Sequence, residues 1–147
     1  MKLSTRSRYG VRALLELAID YNNGPLQIKT IAEREKISNK YLEQLIAILK
    51  TAGLVLSIRG PKGGYVLAKP PQEIKLSEVF SVLEGPVTTF DCLIDKSYCT
   101  RCGDCLTKNV WLKMQEAINE VLGSVTLKDM AEDAIQHKQS ETQTYQI

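Results

Sequence analysis

All four cysteines of the 147-residue chain lie in one stretch, CLIDKSYCTRCGDC, at positions 92, 99, 102 and 105. Thiolates bind soft and borderline metals, and three kinds of chemistry compete for this spacing. Structural zinc wants four closed ligands, usually as two separated knuckles. An overlapping run of Cys99, Cys102 and Cys105 preceded by a distant Cys92 matches that pattern poorly. Thiolates two residues apart can instead embrace an iron-sulfur cluster, 2Fe-2S or 4Fe-4S. Neighbouring thiols can also be oxidised to a disulfide. The run of Cys99, Cys102 and Cys105 favours an iron-sulfur cluster, and leaves zinc and thiol redox chemistry open. The single histidine, His137, sits far from the cysteines in a polar stretch, and no nucleophile has an obvious base, so the expectation is a protein that is not an enzyme.

A second group of residues is suited to a polyanion. Residues 1–75 carry 13 Lys+Arg against 6 Asp+Glu, a charge of +7, whereas residues 76–147 carry −5. Such an asymmetry points the basic half at nucleic acid. Within it, Lys2, Arg6 and Arg8 are placed to hold phosphates. RGPKGG (59–64) sets Arg59, Gly60 and Lys62 at a turn, and the segment SNKYLEQ supplies Ser38, Asn39, Lys40, Tyr41, Glu43 and Gln44. Glu43 can accept from cytosine N4 and Gln44 can pair with adenine. Tyr41 could equally be half core.

These side chains need elements to present them. Ser4 and Thr5 are caps for a helix with Val11, Leu14, Leu15, Ala18 and Ile19 at helical spacing, ending at Asn22-Asn23-Gly24-Pro25. A short helix follows over 28–35, with Ile31 and Ala32 inward. Ser38 then caps a third, in which Leu42, Leu45, Ile46 and Leu49 form the buried stripe and Gly53 ends it. LVLSI (54–58) and YVLA (65–68) read as a hairpin around RGPKGG. The phosphate-cradling glycine-lysine loop pattern is absent, and the turn returns into a strand, so a wing is expected there. Two helices, a tight turn and a hairpin make a winged helix-turn-helix. LSEVFSVLEG (76–85) reads as a helix before the cysteine loop. Val110, Trp111, Met114, Ala117, Ile118, Val121 and Leu122 form a long apolar stripe ending near Gly123. Lying outside a small domain, that stripe predicts a dimer interface, with Trp111, Met114, Ile118, Val121 and Leu122 as its contacts. The competing arrangement packs the helix on its own domain.

The expected fold class is mainly α with a small β-hairpin wing. Residues 1–75 form the DNA-binding domain and 76–105 the connecting helix and cysteine loop. Residues 106–135 form the dimerisation helix and a short C-terminal helix, and 136–147 a frayed polar tail. No apolar run approaches the roughly 20 residues needed to span a bilayer. The charged first segment does not read as a signal peptide, and a cytoplasmic protein without membrane partners is expected.

MKLSTRSRYGVRALLELA, the block ISNKYLEQLIAILKTAGLVLSIRGPKGGYVLAKP and a cysteine loop followed by CLTKNVW resemble the Rrf family of bacterial winged-helix regulators. The likeness is closest to the family's IscR-like iron-sulfur branch and extends to about residue 132. It implies a homodimer on a palindromic promoter in double-stranded DNA, with a cluster beside the dimer helix tuning promoter affinity. By position, the family's three cysteine ligands fall on Cys92, Cys99 and Cys105, and Cys102 is an extra thiol. Where the family's ligand histidine would stand, this chain has Lys108, and a protonated lysine is not a ligand. The acidic residue that some relatives supply from the partner's first helix falls on Arg8. The fourth ligand is therefore open, and so is the cluster type. Two other readings compete: a thiol-redox, zinc or nitric-oxide responsive regulator of the same fold, and a ferredoxin-like electron carrier. The carrier would lack the ferredoxin's downstream Cys-Pro ligand and leave the basic half unexplained.

Overall fold

A computed structural model describes residues 2–88 and 90–145. Helix α1 spans Thr5–Ile19, α2 Ile28–Glu35 and α3 Asn39–Thr51. A two-stranded antiparallel hairpin follows, β1 (Val55–Ile58) with β2 (Gly64–Leu67), registered Val55 to Leu67 and Ile58 to Gly64. A 3-10 turn at Pro71–Glu73 leads to α4 (Leu76–Leu83), the one-turn α5 (Asp91–Ile94), α6 (Lys108–Ser124) and α7 (Leu127–Thr144).

The boundaries have local causes. The Ser4 hydroxyl accepts from the Ser7 N–H at 3.2 Å and the Ser38 hydroxyl from the Tyr41 N–H at 3.1 Å, so both helices start at a side-chain cap. After α3, Gly53 takes φ +78°, a left-handed conformation open to glycine, as expected of a residue that ends a helix. Lys36 enters the same region, at φ 55°, to make the tight turn between α2 and α3.

Leu14, Ile31, Leu42, Leu49 and Leu54 are fully buried where the three helices and β1 meet. Each such side chain contributes roughly 1.5–3 kcal/mol over leaving it in water. The same core includes Val79 and Leu83 of α4 and Leu127 and Ala131 of α7. The first 75 residues therefore share their core with the end of the chain. The return is fastened by backbone bonds: Leu76 N–H donates to the Val125 carbonyl and Leu127 N–H to the Ile74 carbonyl, both at 3.0 Å.

Two expectations are corrected. The last helix is 18 residues long and continues to Thr144, so the stretch expected as a frayed tail is helical through that residue. A complete capping box starts it: Thr126 Oγ1 accepts from Asp129 N–H, and the Asp129 carboxylate accepts from Thr126 N–H at 2.8 Å. Ile147, at the end of that stretch, and Gln146 lie outside the described residues. The cysteine loop is also not wholly irregular, since α5 makes one helical turn around Cys92. No helix is long and apolar enough to cross a membrane among the described residues.

Candidate functional site

The first turns of α3 present Asn39, Lys40, Glu43 and Gln44 to solvent while Leu42, Leu45 and Ile46 face the core. Two neighbouring candidates are also bound into the structure. The Ser38 hydroxyl serves the helix cap, and the half-buried Tyr41 ring stands edge-on to Tyr9, centroids 6.1 Å apart and planes at 89°. Tyr41 thus joins α3 to α1 as well as bordering the exposed face, the alternative its sequence position left open.

At the hairpin tip Arg59, Gly60 and Lys62 are exposed, as are Lys2, Arg6 and Arg8 at the start of the chain. Among the described residues no carboxylate pairs with Lys40, Arg59 or Lys62. The wing is fixed at its base. Tyr65 N–H donates to the Leu26 carbonyl at 2.7 Å, and Leu26 N–H donates back at 3.0 Å. A Cβ on Gly64, at φ +148°, would lie 2.4 Å from that Leu26 oxygen, so only glycine permits the approach.

Sequence reasoning missed the ionic clamp behind this face. Arg34 Nη1 donates to Glu16 Oε2 at 2.8 Å and to Asp20 Oδ2 at 2.7 Å, tying α2 to α1. The Arg34 guanidinium holds the Asp20 carboxyl below its usual range. Arg12 pairs with Glu35 and also lies 5.4 Å from the Tyr9 ring centroid. Burial nevertheless pushes Glu35 up, with the neighbouring Glu16 adding to the rise and Arg12 opposing it. Glu16 in α1 and Asp20 at its C-cap are acids four residues apart, a spacing that does not name Arg34 as their partner.

The expected dimer stripe is divided. Trp111, Ile118 and Leu122 are half-buried toward their own protomer. Trp111 stacks on Phe90 with ring centroids 4.5 Å apart. Val110, Met114 and Val121 instead face outward, Met114 45% and Val121 58% exposed. No residue of this 17-residue helix is buried. Beside it lies an apolar hollow of about 340 Å³, lined by Leu3, Phe80, Val87, Ala117, Ile118, Val121 and Leu122.

All four cysteines are free, half-exposed thiols. Cys102 Sγ lies 3.8 Å from the Cys92 carbonyl oxygen, and Cys105 Sγ lies 3.2 Å from Thr107 Oγ1. The Thr107 hydroxyl lowers the Cys105 thiol from its ordinary value, helped by nearby backbone groups and Lys108. Cys99 and Cys102 line an open cleft of about 530 Å³ with Lys96, Ser97 and Lys108. The Lys108 ammonium donates to the Cys102 carbonyl at 3.4 Å. Among the described residues no three Cys, His, Asp or Glu side chains converge as a metal-holding group. The donor set suits an iron-sulfur cluster in chemical kind, since it is all thiol, yet the thiols are not gathered around a common centre. His137 is remote in role as well as in sequence, 75% exposed and one turn from Glu141.

A family model described as Rrf2, iron-dependent transcriptional regulator, matches residues 3–133. The chain is 42% identical over 131 residues to the HTH-type transcriptional regulator CymR of Bacillus subtilis, covering 89% of this chain and 90% of that protein. It is 38% identical over 133 residues to the HTH-type transcriptional regulator IscR of Xenorhabdus nematophila, covering 90% and 80%. The solved structure of CymR, the global cysteine regulator of B. subtilis, superposes with a TM-score of 0.78 at 40% identity, over 90% of this chain and 97% of that one. That of T. potens IscR gives 0.74 at 46% identity, over 91% and 88%.

Proposed function

Because the chain belongs to the Rrf2 family of DNA-binding transcriptional regulators, not enzymes, we propose that it acts as a homodimer on a palindromic promoter, its affinity set by the state of the cysteine loop. The observation that carries this reading is the solvent face of α3, where Asn39, Lys40, Glu43 and Gln44 stand exposed on a helix whose other face is fully buried. Glu43 and Gln44 read base edges in the major groove. Arg59 and Lys62 of the wing, with Lys2, Arg6 and Arg8, hold the phosphate backbone. Two-fold symmetry places the two α3 helices about one DNA turn, roughly 34 Å, or a multiple of it apart. The exposed Met114 and Val121 of α6 supply the contact between protomers, and the half-buried Trp111, Ile118 and Leu122 support them from behind.

Cys92, Cys99 and Cys105 would hold an iron-sulfur cluster, 2Fe-2S or 4Fe-4S, which supplies a centre sensitive to oxidants and to iron supply. The similarity to IscR proteins and the all-thiol donor set support this assignment. The chain's own contribution is to keep these thiols half-exposed on a loop rooted between α4 and α6, where a change in the loop reaches both helices. A second reading, direct thiol sensing without iron, is supported by the similarity to CymR and by the arrangement of the thiols, which among the described residues do not converge on one centre.

Anaerobic purification with iron analysis and absorption spectra separates the two. On the cluster reading, Cys92→Ala, Cys99→Ala and Cys105→Ala each abolish visible absorption. Full retention in one of them removes that residue from the ligand set, and iron-free wild-type protein that still changes DNA affinity on oxidation establishes the thiol reading instead. Cys102→Ser with a normal spectrum shows that Cys102 is not the fourth ligand.

A further inference from the structure

The start of α1 is only half capped from within. A capping box needs a Glu or Gln three residues after the cap to reach back to the cap's own N–H. That third position here is Ser7, whose N–H is taken by the Ser4 hydroxyl. The Ser4 N–H is instead bound by Glu84 Oε1 at 2.7 Å, from 80 positions away. Glu84 is the C-cap of α4, the end of a helix where negative charge is disfavoured, and α4 has no basic residue in its last turn. Its carboxylate is therefore explained by α1 and not by its own helix.

The approach is enforced one residue earlier. A Cβ on Gly10 would lie 2.5 Å from Leu83 Cδ1, so a glycine in α1 lets the two helices touch next to Glu84. The carboxylate sits below its usual range, chiefly through the Ser4 hydroxyl and backbone, then the buried Ser7 and Arg6. On its other side the chain runs straight from Glu84 through Gly85-Pro86 toward the cysteines, and the Val87 carbonyl accepts from Gln115 of α6. Residues 84–87 thus join the DNA-facing start of α1, the root of the cysteine loop and the outward-facing helix α6.

We propose that Glu84 is a positioning residue for DNA binding: it completes the cap of α1 from the root of the cysteine loop and so fixes the segment that carries Lys2, Arg6 and Arg8. This rests on the reading of that segment as the one that holds phosphates. The test is DNA affinity and salt dependence of full-length Glu84→Gln, Glu84→Ala and Glu84→Asp proteins on one promoter duplex, beside Arg6→Ala and Arg8→Ala. Gln and Ala lose the same negative charge and share any electrostatic gain, but only Gln keeps an acceptor for the Ser4 N–H. The Ala variant should bind about three- to ten-fold more weakly than the Gln variant, the range expected for one hydrogen bond. Asp keeps the charge but is one methylene shorter, and should bind more weakly than wild type. A cap that served stability alone would lower the melting temperature of the Ala variant and leave its affinity equal to that of Gln; equal affinities overturn the proposal. Arg6→Ala and Arg8→Ala proteins that both bind like wild type overturn it at its premise instead, which separates the two failures.

Discussion

Glu43 and Arg59 are both exposed, yet their loss should be felt in different measurements. Removing Arg59 deletes a phosphate contact that every sequence shares, so Arg59→Ala weakens binding uniformly and reduces the slope of log affinity against log salt by about one per wing. Removing Glu43 deletes a base contact, so Glu43→Ala reorders preference among operator variants with little change in slope. A full panel of site variants ranked as for wild type would remove Glu43 from the reading face. Which residues are exposed here was legible because the α3 stripe of Leu42, Leu45, Ile46 and Leu49 assigns the opposite side to solvent. The Arg34 clamp on Glu16 and Asp20 was not, because it joins side chains 14 and 18 positions apart that only the packing of α2 on α1 brings together. The thiols mark the same boundary: spacing along the chain names donors, whereas convergence is a property of the folded loop, and Cys105 lies against Thr107 in this one.

Among the elements, α3 depends on a single hydroxyl for its first turn, which is also the turn that faces the proposed operator. Ser38→Ala should cost about 1 kcal/mol of stability, read as a lowered midpoint in urea with unchanged slope. An unchanged midpoint would mean that solvent caps the helix equally well. The helices of the first half were readable because their signals are local: a cap, a stripe and a terminating glycine within a dozen residues. Helix α7 shows the converse. Its second half is polar and carries no apolar stripe, so composition suggested a tail. It is extended from a complete capping box, with Lys128 paired to Glu132 in its first turns and, in the polar half, His137 one turn from Glu141, a pair that is ionic only with the imidazole protonated. Such pairs add only a few tenths of a kcal/mol each, a sum that periodicity does not reveal.

For the molecule as a whole, α6 poses the largest demand. At 1.5 Å per residue it is about 25 Å long, and it buries none of its residues within one protomer. Val121→Glu adds a charge at the rim of the apolar hollow beside α6, at a side chain that is 58% exposed and outside the buried core. It should yield monomers in sedimentation and lower operator affinity by on the order of ten-fold or more, as two linked half-site contacts become one. A Val121→Glu protein that stays dimeric would move the interface elsewhere. The winged helix was legible as a contiguous unit, but the packing of α7 on α1 was not, since nothing in Leu127 or Ala131 names a partner more than a hundred residues away. That packing has a mechanical consequence. The chain leaves the core after Leu83 and re-enters at Leu127, and the segments flanking this excursion are stitched by Leu76 to Val125 and Leu127 to Ile74. Trypsin can cut after the exposed Lys96 and Arg101, yet both fragments remain rooted in one core. Nicked protein should therefore run as two pieces on a denaturing gel and as one species on a native gel. Separation of the pieces under native conditions would show that the excursion holds the two halves together, and is not merely carried by them.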